Sequence, residues 1–402
     1  MQLREWNARL HGLVVFRALL GDPVVAKLAA LTDRLEAADD TIAPLCDAVA
    51  AFEAALFAHT TNLGDYLSNA VLETETVCVR QAAAGQLSPV MEAALNSELN
   101  FLQKLCGLTL DTLLEAADRQ NRELAFLPRW EARQLDLTAA YNQRMREAGK
   151  KGYGMFAKHH VFTVENGQLV PVKYPDPQKL SELPGYEKER EKVIANTRAL
   201  LAGSPANNVL LYGDAGTGKS STVKAIANEY AADGLRLVEV KKNQLYQIPD
   251  LMDQLAANPL KFILFIDDLS FSSNDDNFAA LKAILEGSVG GRAQNIAVYA
   301  TSNRRHLIKE TMTDRSGDDI HESDTRQELM SLSARFGLTV TFASPDRDRY
   351  LYIVGELAKQ YGVDLDEHTL AVRSEAFAIR MGGRSARVAK QFIELCKSGV
   401  QV

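Results

Sequence analysis

The sequence predicts a mixed α/β protein, in which an all-α N-terminal domain precedes a parallel five-stranded sheet that is flanked by helices and followed by a C-terminal helical lid. Three observations support this fold class. Apolar residues recur with a helical period over the first 150 residues. Short β-rich runs then alternate with helical segments, and a glycine-rich phosphate-binding loop follows the first of these runs.

The predicted N-terminal helical domain comprises residues 1–150. Asp22 and Pro23 are typical of an N-cap and the first position of a helix. Two stripes of apolar side chains follow at helical spacing, and core packing explains both. A surface for a protein partner is the alternative interpretation. The stripes are Val24, Leu28, Leu31 and Leu35, and then Ile42, Leu45, Val49, Phe52 and Leu56.

Residues 151–184 are rich in Gly, Pro and basic side chains and are predicted to connect two domains. Two strands near His160–Val164 and Leu169–Val172 flank Asn166 and Gly167, a pair typical of a tight hairpin turn. A nearby basic cluster is interpreted as a solvated loop, with contact to a nucleic-acid phosphate backbone as the alternative. The cluster consists of Lys150, Lys151, Lys158, His159 and His160.

Residues 185–344 are predicted to form the α/β domain, and residues 345–402 the helical lid. Alternation of short apolar strands with helices predicts a parallel sheet covered on both faces. The predicted strands are Val209–Tyr212, Leu235–Val240, Phe262–Asp267, Ile296–Ser302 and Leu338–Phe342. The predicted lid helices lie near Arg347–Tyr361, Thr369–Met381 and Ser385–Cys396.

Charge and cysteine usage exclude several classes of protein. The formal net charge is −7, and the first 150 residues carry 20 acidic against 14 basic side chains, which disfavours nonspecific binding of nucleic acid by this part. The four cysteines have no CxxC spacing, so neither a zinc site nor a disulfide framework is indicated. We find neither a signal peptide nor a membrane-spanning apolar run, and we therefore expect a cytoplasmic protein without membrane contact.

The segment from Gly213 to Ser220 matches the pattern GxxxxGK[ST] between a strand and a helix. Its glycines let successive backbone N–H groups turn towards an anion at a helix N-terminus, which is the way proteins bind phosphate groups. We expect Lys219 to reach the β- and γ-phosphates of ATP and the Ser220 hydroxyl to bind Mg²⁺. The predicted nucleotide-binding residues of this segment are Gly213, Asp214, Ala215, Gly216, Thr217, Gly218, Lys219, Ser220 and Ser221.

Two later strands end in polar residues that suit ATP hydrolysis. The apolar run from Lys261 ends in Asp267 and Asp268, of which Asp267 is predicted to hold Mg²⁺ and Asp268 to polarise the attacking water. Asn303 follows another apolar run, where it would lie beside the γ-phosphate and align that water. Taken alone, Asn303 is equally typical of a simple turn.

Together these motifs resemble those of the AAA+ superfamily of ATPases. The resemblance makes Asn303 the sensor-1 residue and identifies two arginines. The segment from Ser333 to Val340 is similar to the one that carries the arginine finger in bacterial replication initiators, which implies that Arg335 reaches the γ-phosphate of a neighbouring subunit. The segment from Arg384 to Ala389 resembles the sensor-2 helix of Holliday-junction branch-migration motors, which implies that Arg387 contacts the nucleotide of its own subunit.

More narrowly, the chain from about Gly185 to its end resembles a bacterial AAA+ family that is catalogued only as a domain of unknown function. The AAA+ analogy implies that Gly185 and Tyr186 lie near the adenine. The segments that carry this resemblance are Leu183–Glu187, Pro205–Gly213, Asp267–Phe271, Ala300–Leu307 and Gly317–His321.

The sequence departs from the commoner AAA+ pattern at several points. Asp268 stands where most members have Glu, which predicts slow turnover. No aromatic-hydrophobic-Gly pore loop follows the strand ending at Val240, and Tyr246 is the nearest aromatic residue. The acidic stretch from Asp314 to Asp324 is interpreted as a solvated loop, with a metal site or an ordered subunit interface as alternatives.

We therefore expect an ATP hydrolase that uses ATP and Mg²⁺ and works as a homo-oligomeric ring, with a hexamer as one candidate size, to remodel or switch a protein partner bound by the N-terminal domain. The alternative is an ATP-gated loader or scaffold on nucleic acid with slow hydrolysis, which the acidic charge disfavours. A P-loop kinase for a small molecule is the third hypothesis, and the order of Asn303, Arg335 and Arg387 argues against it.

Overall fold

A computed structural model describes residues 2–37, 41–83, 87–119, 124–270, 277–286, 293–303 and 334–400. The chain divides into two compact units, Met1–Lys158 and His159–Val402. Each unit has a hydrophobic core of its own. Among the described residues, no helix combines the length and the apolar character that crossing a membrane requires.

The first unit is helical, as predicted, and its helices begin where the sequence supplies caps. Asp22 accepts hydrogen bonds from the backbone N–H groups of Val24 and Val25 at 3.0 and 3.1 Å, so it caps a helix that has Pro23 at its first position. The described helices of this unit are α1 (Gln2–His11), α2 (Pro23–Glu36), α3 (Ile42–Phe57), α4 (Leu63–Glu73), α5 (Val77–Ala83), α6 (Pro89–Cys106), α7 (Leu110–Ala116), α8 (Leu137–Arg146), α9 (Ala148–Lys151) and α10 (Met155–Lys158).

Both predicted apolar stripes pack into the core of the first unit. The four stripe residues of α2 are buried, and so are those of α3 except Ile42, which lies in the first turn and is 40% exposed. Phe52 meets Trp130 edge to face at 4.8 Å between ring centroids. The basic cluster at the end of this unit is partly neutralised, because Lys151 pairs with Glu147 and Lys158 with Glu73.

The second unit is built on a seven-stranded sheet in the order β2-β1-β4-β5-β6-β3-β7. The five predicted strands are all present and pair in parallel. The difference lies in the hairpin, which the sequence pattern places in the connector: β1 pairs in parallel with β4, so the hairpin widens the sheet to seven strands. The strands are β1 (Val161–Glu165), β2 (Gln168–Pro171), β3 (Val209–Gly213), β4 (Leu235–Glu239), β5 (Lys261–Ile266), β6 (Ile296–Ser302) and β7 (Leu338–Phe342).

Burial explains why the central strands are mostly apolar. Every residue of β6, and all of β5 after Lys261, is buried, because helices cover both faces of a parallel sheet. The hairpin turn has Asn166 and Gly167 at φ 51° and 76°, the left-handed conformation that a two-residue turn requires.

The helices of the second unit include a C-terminal group that forms the predicted lid. Asp346, Asp366 and Ser385 cap its three helices through side-chain oxygens. The helices are α11 (Glu187–Leu201), α12 (Lys219–Glu229), α13 (Ile248–Ala256), α14 (Asn277–Glu286), α15 (Arg347–Tyr361), α16 (Glu367–Arg380) and α17 (Ala386–Lys397).

Candidate nucleotide-binding site

The glycine-rich loop joins the end of β3 to the start of α12, and its glycines are required by position. Gly213 has φ 138°, and a Cβ there would lie 2.0 Å from the Phe342 carbonyl oxygen of β7. Gly216 and Gly218 also have positive φ values, 78° and 92°. L-residues rarely adopt these conformations, so only glycine lets the loop turn tightly against the neighbouring strand.

Substituting Gly213 by alanine is expected to destabilise the second unit by about 3 kcal/mol or more, since backbone strain adds to overpacking against Phe342. Gly203→Ala is the matched control, because Gly203 also has positive φ (71°) but has no atom within 4 Å of the added Cβ. Denaturant unfolding measures both. Equal losses of stability in the two variants would contradict the close approach.

Lys219 lies at the base of the loop and is only 6% exposed. Its Nζ donates to the carbonyl oxygens of Gly213 and Asp214 at 2.8 and 2.7 Å, and to Asn303 Oδ1 at 3.1 Å. Burial lowers the pKa of Lys219, and the nearby carboxylates of the site oppose that effect. A polyphosphate would favour the charged ammonium in the same way.

Ser220 and Asp267 meet directly, with the Ser220 hydroxyl donating to Asp267 Oδ1 at 2.6 Å. Ser220 is the second residue of α12, and Asp267 directly follows β5. Mg²⁺ in nucleotide sites is held by one or two protein oxygens together with phosphates and water. The hydroxyl and carboxylate oxygens of this pair have the right chemistry and proximity for that role.

Asp268 and Asn303 are also brought together, although they lie 35 residues apart. Asn303 Nδ2 donates to Asp268 Oδ1 at 2.9 Å, while Asn303 Oδ1 accepts from Lys219. Asp268 has φ 51°, an uncommon value for a residue with a side chain. Its backbone N–H donates to Thr301 Oγ1 at 2.9 Å and to Asp267 Oδ1 at 3.1 Å.

A cavity of about 990 Å³ opens over the phosphate loop. Its lining combines polar groups with apolar side chains, both of which a site for a nucleotide requires. The lining residues from the phosphate loop, from the ends of β5 and β6 and from the start of α17 are Ala215, Gly216, Thr217, Gly218, Lys219, Ser220, Ser221, Asp267, Asp268, Thr301, Asn303, Ala386 and Arg387. The remaining lining residues are Asp176, Pro177, Gln178, Glu182, Leu183, Pro184, Tyr186, Arg190, Ile353, Leu357, Gln360, Tyr361 and Lys390.

Tyr186 borders the cavity, but its ring is packed within the protein. The side chain is 2% exposed, stacks on Phe342 at 5.4 Å and donates its hydroxyl hydrogen to the Ala343 carbonyl oxygen at 2.7 Å. Burial raises its pKa to about 12. Gly185 has φ 75°, and a Cβ there would lie 2.8 Å from Ile353, so this glycine lets the segment pack against the lid helix α15.

Asp214 is tied to the chain that follows β7. Its Oδ2 accepts from Ser344 N at 2.9 Å and from Ser344 Oγ at 2.7 Å, and these hydrogen bonds lower the pKa of Asp214. The sequence reasoning did not identify Ser344. Its only signal was a serine two residues after a predicted strand.

Arg387 reaches the site from the lid. It is the second residue of α17, and its backbone N–H donates to the Gly216 carbonyl oxygen at 2.9 Å. A Cβ on Gly216 would lie 3.0 Å from Arg387 Cβ, so the lid helix starts in contact with the phosphate loop. Arg387 therefore lies beside the nucleotide cavity of its own chain.

Arg335 lies apart from the other predicted residues and does not line this cavity. It precedes β7, which pairs in parallel with β3 from Leu338 onwards, whereas the phosphate loop follows the opposite end of β3. A five-residue strand spans about 16 Å. Arg335 thus lies near the amino-terminal ends of the strands. The phosphate loop of its own subunit lies at the opposite, carboxyl-terminal ends.

Part of the predicted motif set lies outside the described residues. This applies to Phe271, Arg304–Leu307, Gly317–His321 and the acidic stretch Asp314–Asp324. Among the described residues, no cluster of three or more His, Cys, Asp or Glu side chains is arranged to hold a metal ion.

Comparison with known proteins gives several partial matches. The chain is 27% identical to the replication factor C large subunit of Methanococcus maripaludis (strain S2) over 196 residues, which is 48% of this chain and 35% of that protein. It is 44% identical to the Thermococcus kodakarensis subunit over 63 residues, 15% of this chain and 13% of that one. The first of these matches spans about a third of the relative's length.

Solved structures of Thermotoga maritima RuvB also align with this chain. One RuvB variant covers 56% of this chain and 67% of its own, with 19% identity and a TM-score of 0.37. The RuvB Holliday junction branch migration motor covers 55% and 72%, with 16% identity and a TM-score of 0.33.

A family model spans most of the second unit. The match extends over residues 156–400, more than half of the chain, and includes the hairpin, the phosphate loop, the paired aspartates and the lid. This range holds the seven-stranded sheet and the three C-terminal helices of the second unit. The chain therefore belongs to the family described as "Protein of unknown function (DUF815)".

Proposed function

We propose that this protein binds ATP with Mg²⁺ and hydrolyses it. The observation that carries this proposal is the convergence of Lys219, the Ser220–Asp267 pair and the Asp268–Asn303 pair in one cavity. These groups come from α12 and from the ends of two neighbouring strands. A set of unrelated surface contacts would not place a buried cation, a metal-binding pair and a candidate base together.

Each residue has a distinct role in the proposed reaction. Lys219 and the loop N–H groups bind the phosphates, and Ser220 and Asp267 hold Mg²⁺, which supplies charge neutralisation when bound. Asp268 accepts the proton of the attacking water, and Asn303 orients Asp268 through their hydrogen bond. Arg387 neutralises charge on the phosphates from the lid side.

The position of Arg335 supports an oligomer in which each site is completed by a neighbour. Arg335 precedes the amino-terminal end of β7, remote from the phosphates of its own subunit, and we propose that it contacts those of the next subunit of a ring. We further propose that residues 1–150 recognise a protein partner that ATP turnover remodels or switches. We also propose that the domains of the chain end at residues 150, 184 and 344.

The direct test is ATP hydrolysis by the purified chain with Mg²⁺ and with EDTA, followed by analysis of all phosphorylated products. The proposal predicts Mg²⁺-dependent release of ADP and free phosphate only. A phosphorylated small molecule would indicate a kinase instead. Absence of both ATP binding and hydrolysis over a range of protein concentrations would refute the proposal.

A second candidate function is an ATP-gated loader or scaffold on nucleic acid. The partial likeness to replication factor C large subunits favours it, whereas the net charge of −7 and the ion pairs of Lys151 and Lys158 count against it. DNA binding that requires ATP and falls steeply with salt would support this function. Lack of DNA binding at low salt would exclude it.

A further inference from the structure

Thr301 is a buried polar residue of β6 that the sequence reasoning passed over. It is 2% exposed, and its neighbours in the sheet are Leu211 of β3, just before the phosphate loop, and the end of β5. A hydroxyl in such a position needs hydrogen-bond partners, because an unpaired buried polar group is costly. Its partners are the two aspartates of the candidate site.

The Thr301 hydroxyl uses both its donor and its acceptor capacity on these aspartates. Its Oγ1 donates to Asp267 Oδ1 at 2.5 Å and accepts the backbone N–H of Asp268 at 2.9 Å. The Thr301 carbonyl oxygen also accepts from Leu269 N at 2.7 Å. One residue therefore holds three consecutive residues after β5.

Asp267 Oδ1 receives three donors: Ser220 Oγ at 2.6 Å, Thr301 Oγ1 at 2.5 Å and Asp268 N at 3.1 Å. Three hydrogen bonds to one oxygen fix the rotation of the carboxylate. With Oδ1 used in this way, the second oxygen of Asp267 remains to receive a metal ion or a metal-bound water.

The bond to the Asp268 amide acts on the candidate base. Asp268 has φ 51°, in the left-handed region that a residue with a Cβ adopts only at an energetic cost. The N–H bond to Thr301 supports this conformation, from which the Asp268 side chain reaches Asn303. β6 thus supplies the residue that holds the backbone of Asp268, and the residue directly after β6 orients its carboxylate.

We propose that Thr301 is the positioning residue of the metal site: its hydroxyl orients Asp267 towards Mg²⁺ and holds Asp268 in the conformation needed for water activation. This inference rests on the proposed function, since it assigns a role within the same ATP site. It predicts that loss of the hydroxyl impairs Mg²⁺ binding more than binding of the nucleotide itself.

The test compares Thr301→Val with Thr301→Ser, because serine keeps the hydroxyl and valine replaces it by a methyl group. For Thr301→Val we expect the Mg²⁺ concentration for half-maximal hydrolysis to rise about tenfold and kcat to fall about tenfold or more, as for other partners of metal ligands. The Kd for ATP in EDTA stays within about twofold of wild type. Thr301→Ser restores the Mg²⁺ dependence.

A second readout does not depend on turnover. At a Mg²⁺ concentration that half-saturates the wild type, the extra rise in Tm over ATP with EDTA is expected in the wild type and in Thr301→Ser, and is expected to be much smaller in Thr301→Val. Thr197→Val is the matched control, because Thr197 is equally buried and bonds Val193 O and Tyr299 Oη outside the cavity. It should lower Tm without changing the Mg²⁺ dependence.

The outcomes separate this inference from the proposed function. If the wild type neither binds nor hydrolyses ATP, the proposed function fails and the role of Thr301 fails with it. If the wild type hydrolyses ATP and Thr301→Val has the wild-type Mg²⁺ dependence, only the role of Thr301 is refuted. Should Thr301→Val fail to fold, Thr301→Ala provides the same comparison, because it removes the hydroxyl without placing a methyl group against Asp267.

Discussion

Replacing Arg335 by alanine is expected to lower the rate of ATP hydrolysis by about 10³-fold while ATP affinity stays within about twofold of wild type. The physical reason is its position, since Arg335 lies away from the cavity of its own chain at the other end of β7. An arginine from a neighbouring subunit stabilises charge that grows on the phosphates only as the bond breaks, so it contributes to turnover and little to binding.

The effect of Arg335 can be separated from an indirect effect by mixing variants. Lys219→Ala subunits retain Arg335 but lack the phosphate-binding ammonium, so adding them in excess should restore hydrolysis at the sites of Arg335→Ala subunits. Arg198→Ala is a suitable control, because Arg198 is an exposed arginine of α11 that pairs with Glu191 and does not line the cavity. Normal turnover by Arg335→Ala at concentrations that permit assembly would show that the assignment is wrong.

The second large effect is expected for Asp268→Asn, which should lower kcat by about 10²- to 10⁴-fold by removing the general base. The change is otherwise conservative. The Asn side-chain oxygen can still accept from Asn303 Nδ2, and Asn tolerates the left-handed backbone that Asp268 adopts. Single-turnover measurements should therefore show slow hydrolysis. Fluorescent-nucleotide binding should show that the affinity for ATP is retained.

Asp268→Glu provides the comparison for side-chain length. Glutamate restores a base but is one methylene longer, so its activity tests whether the site is built around the shorter carboxylate. Full activity in Asp268→Asn would remove Asp268 from the reaction. If that variant instead stalls with bound ATP, it is the appropriate form for capturing a protein partner through residues 1–150.

The fold was largely predictable because its signals are local. Asp22 with Pro23, the stripes of α2 and α3, and the buried strands around the phosphate loop are each encoded within a few residues. The hairpin of residues 161–171 was recognisable for the same reason, through Asn166 and Gly167. The pairing of the hairpin with β4 could not be predicted, because the pairing of strands that are distant in the sequence is not encoded within a short segment.

The site was predictable only as far as its motifs extend. Lys219, Ser220, Asp267 and Asn303 occur in recognisable patterns, and the fold brings them together. Thr301 and Ser344 were missed, because their hydrogen bonds to Asp267 and Asp214 join residues 34 and 130 positions apart. A threonine in a strand is ordinarily a β-former, and only the tertiary structure shows what its hydroxyl contacts.

The resemblance to AAA+ ATPases implies that Tyr186 lies near the adenine, and this residue borders the cavity. Phe342 covers its ring on one side, and the Arg349 guanidinium lies 4.8 Å from the ring centroid. The ring therefore joins the start of α11 to β7 and the lid. The apolar side chains in the cavity lining include Leu183, Pro184 and the lid residues Ile353 and Leu357.

The central claim is that the cavity around Lys219 binds a nucleoside triphosphate, and isothermal calorimetry tests it most directly. Titration of ATP with Mg²⁺ into the wild-type chain should give saturable binding. The same titration into Lys219→Ala should weaken binding at least about 100-fold, because a buried ammonium paired with phosphate is removed. Equal heats and equal affinities for the two proteins, or no binding by either, would contradict the account.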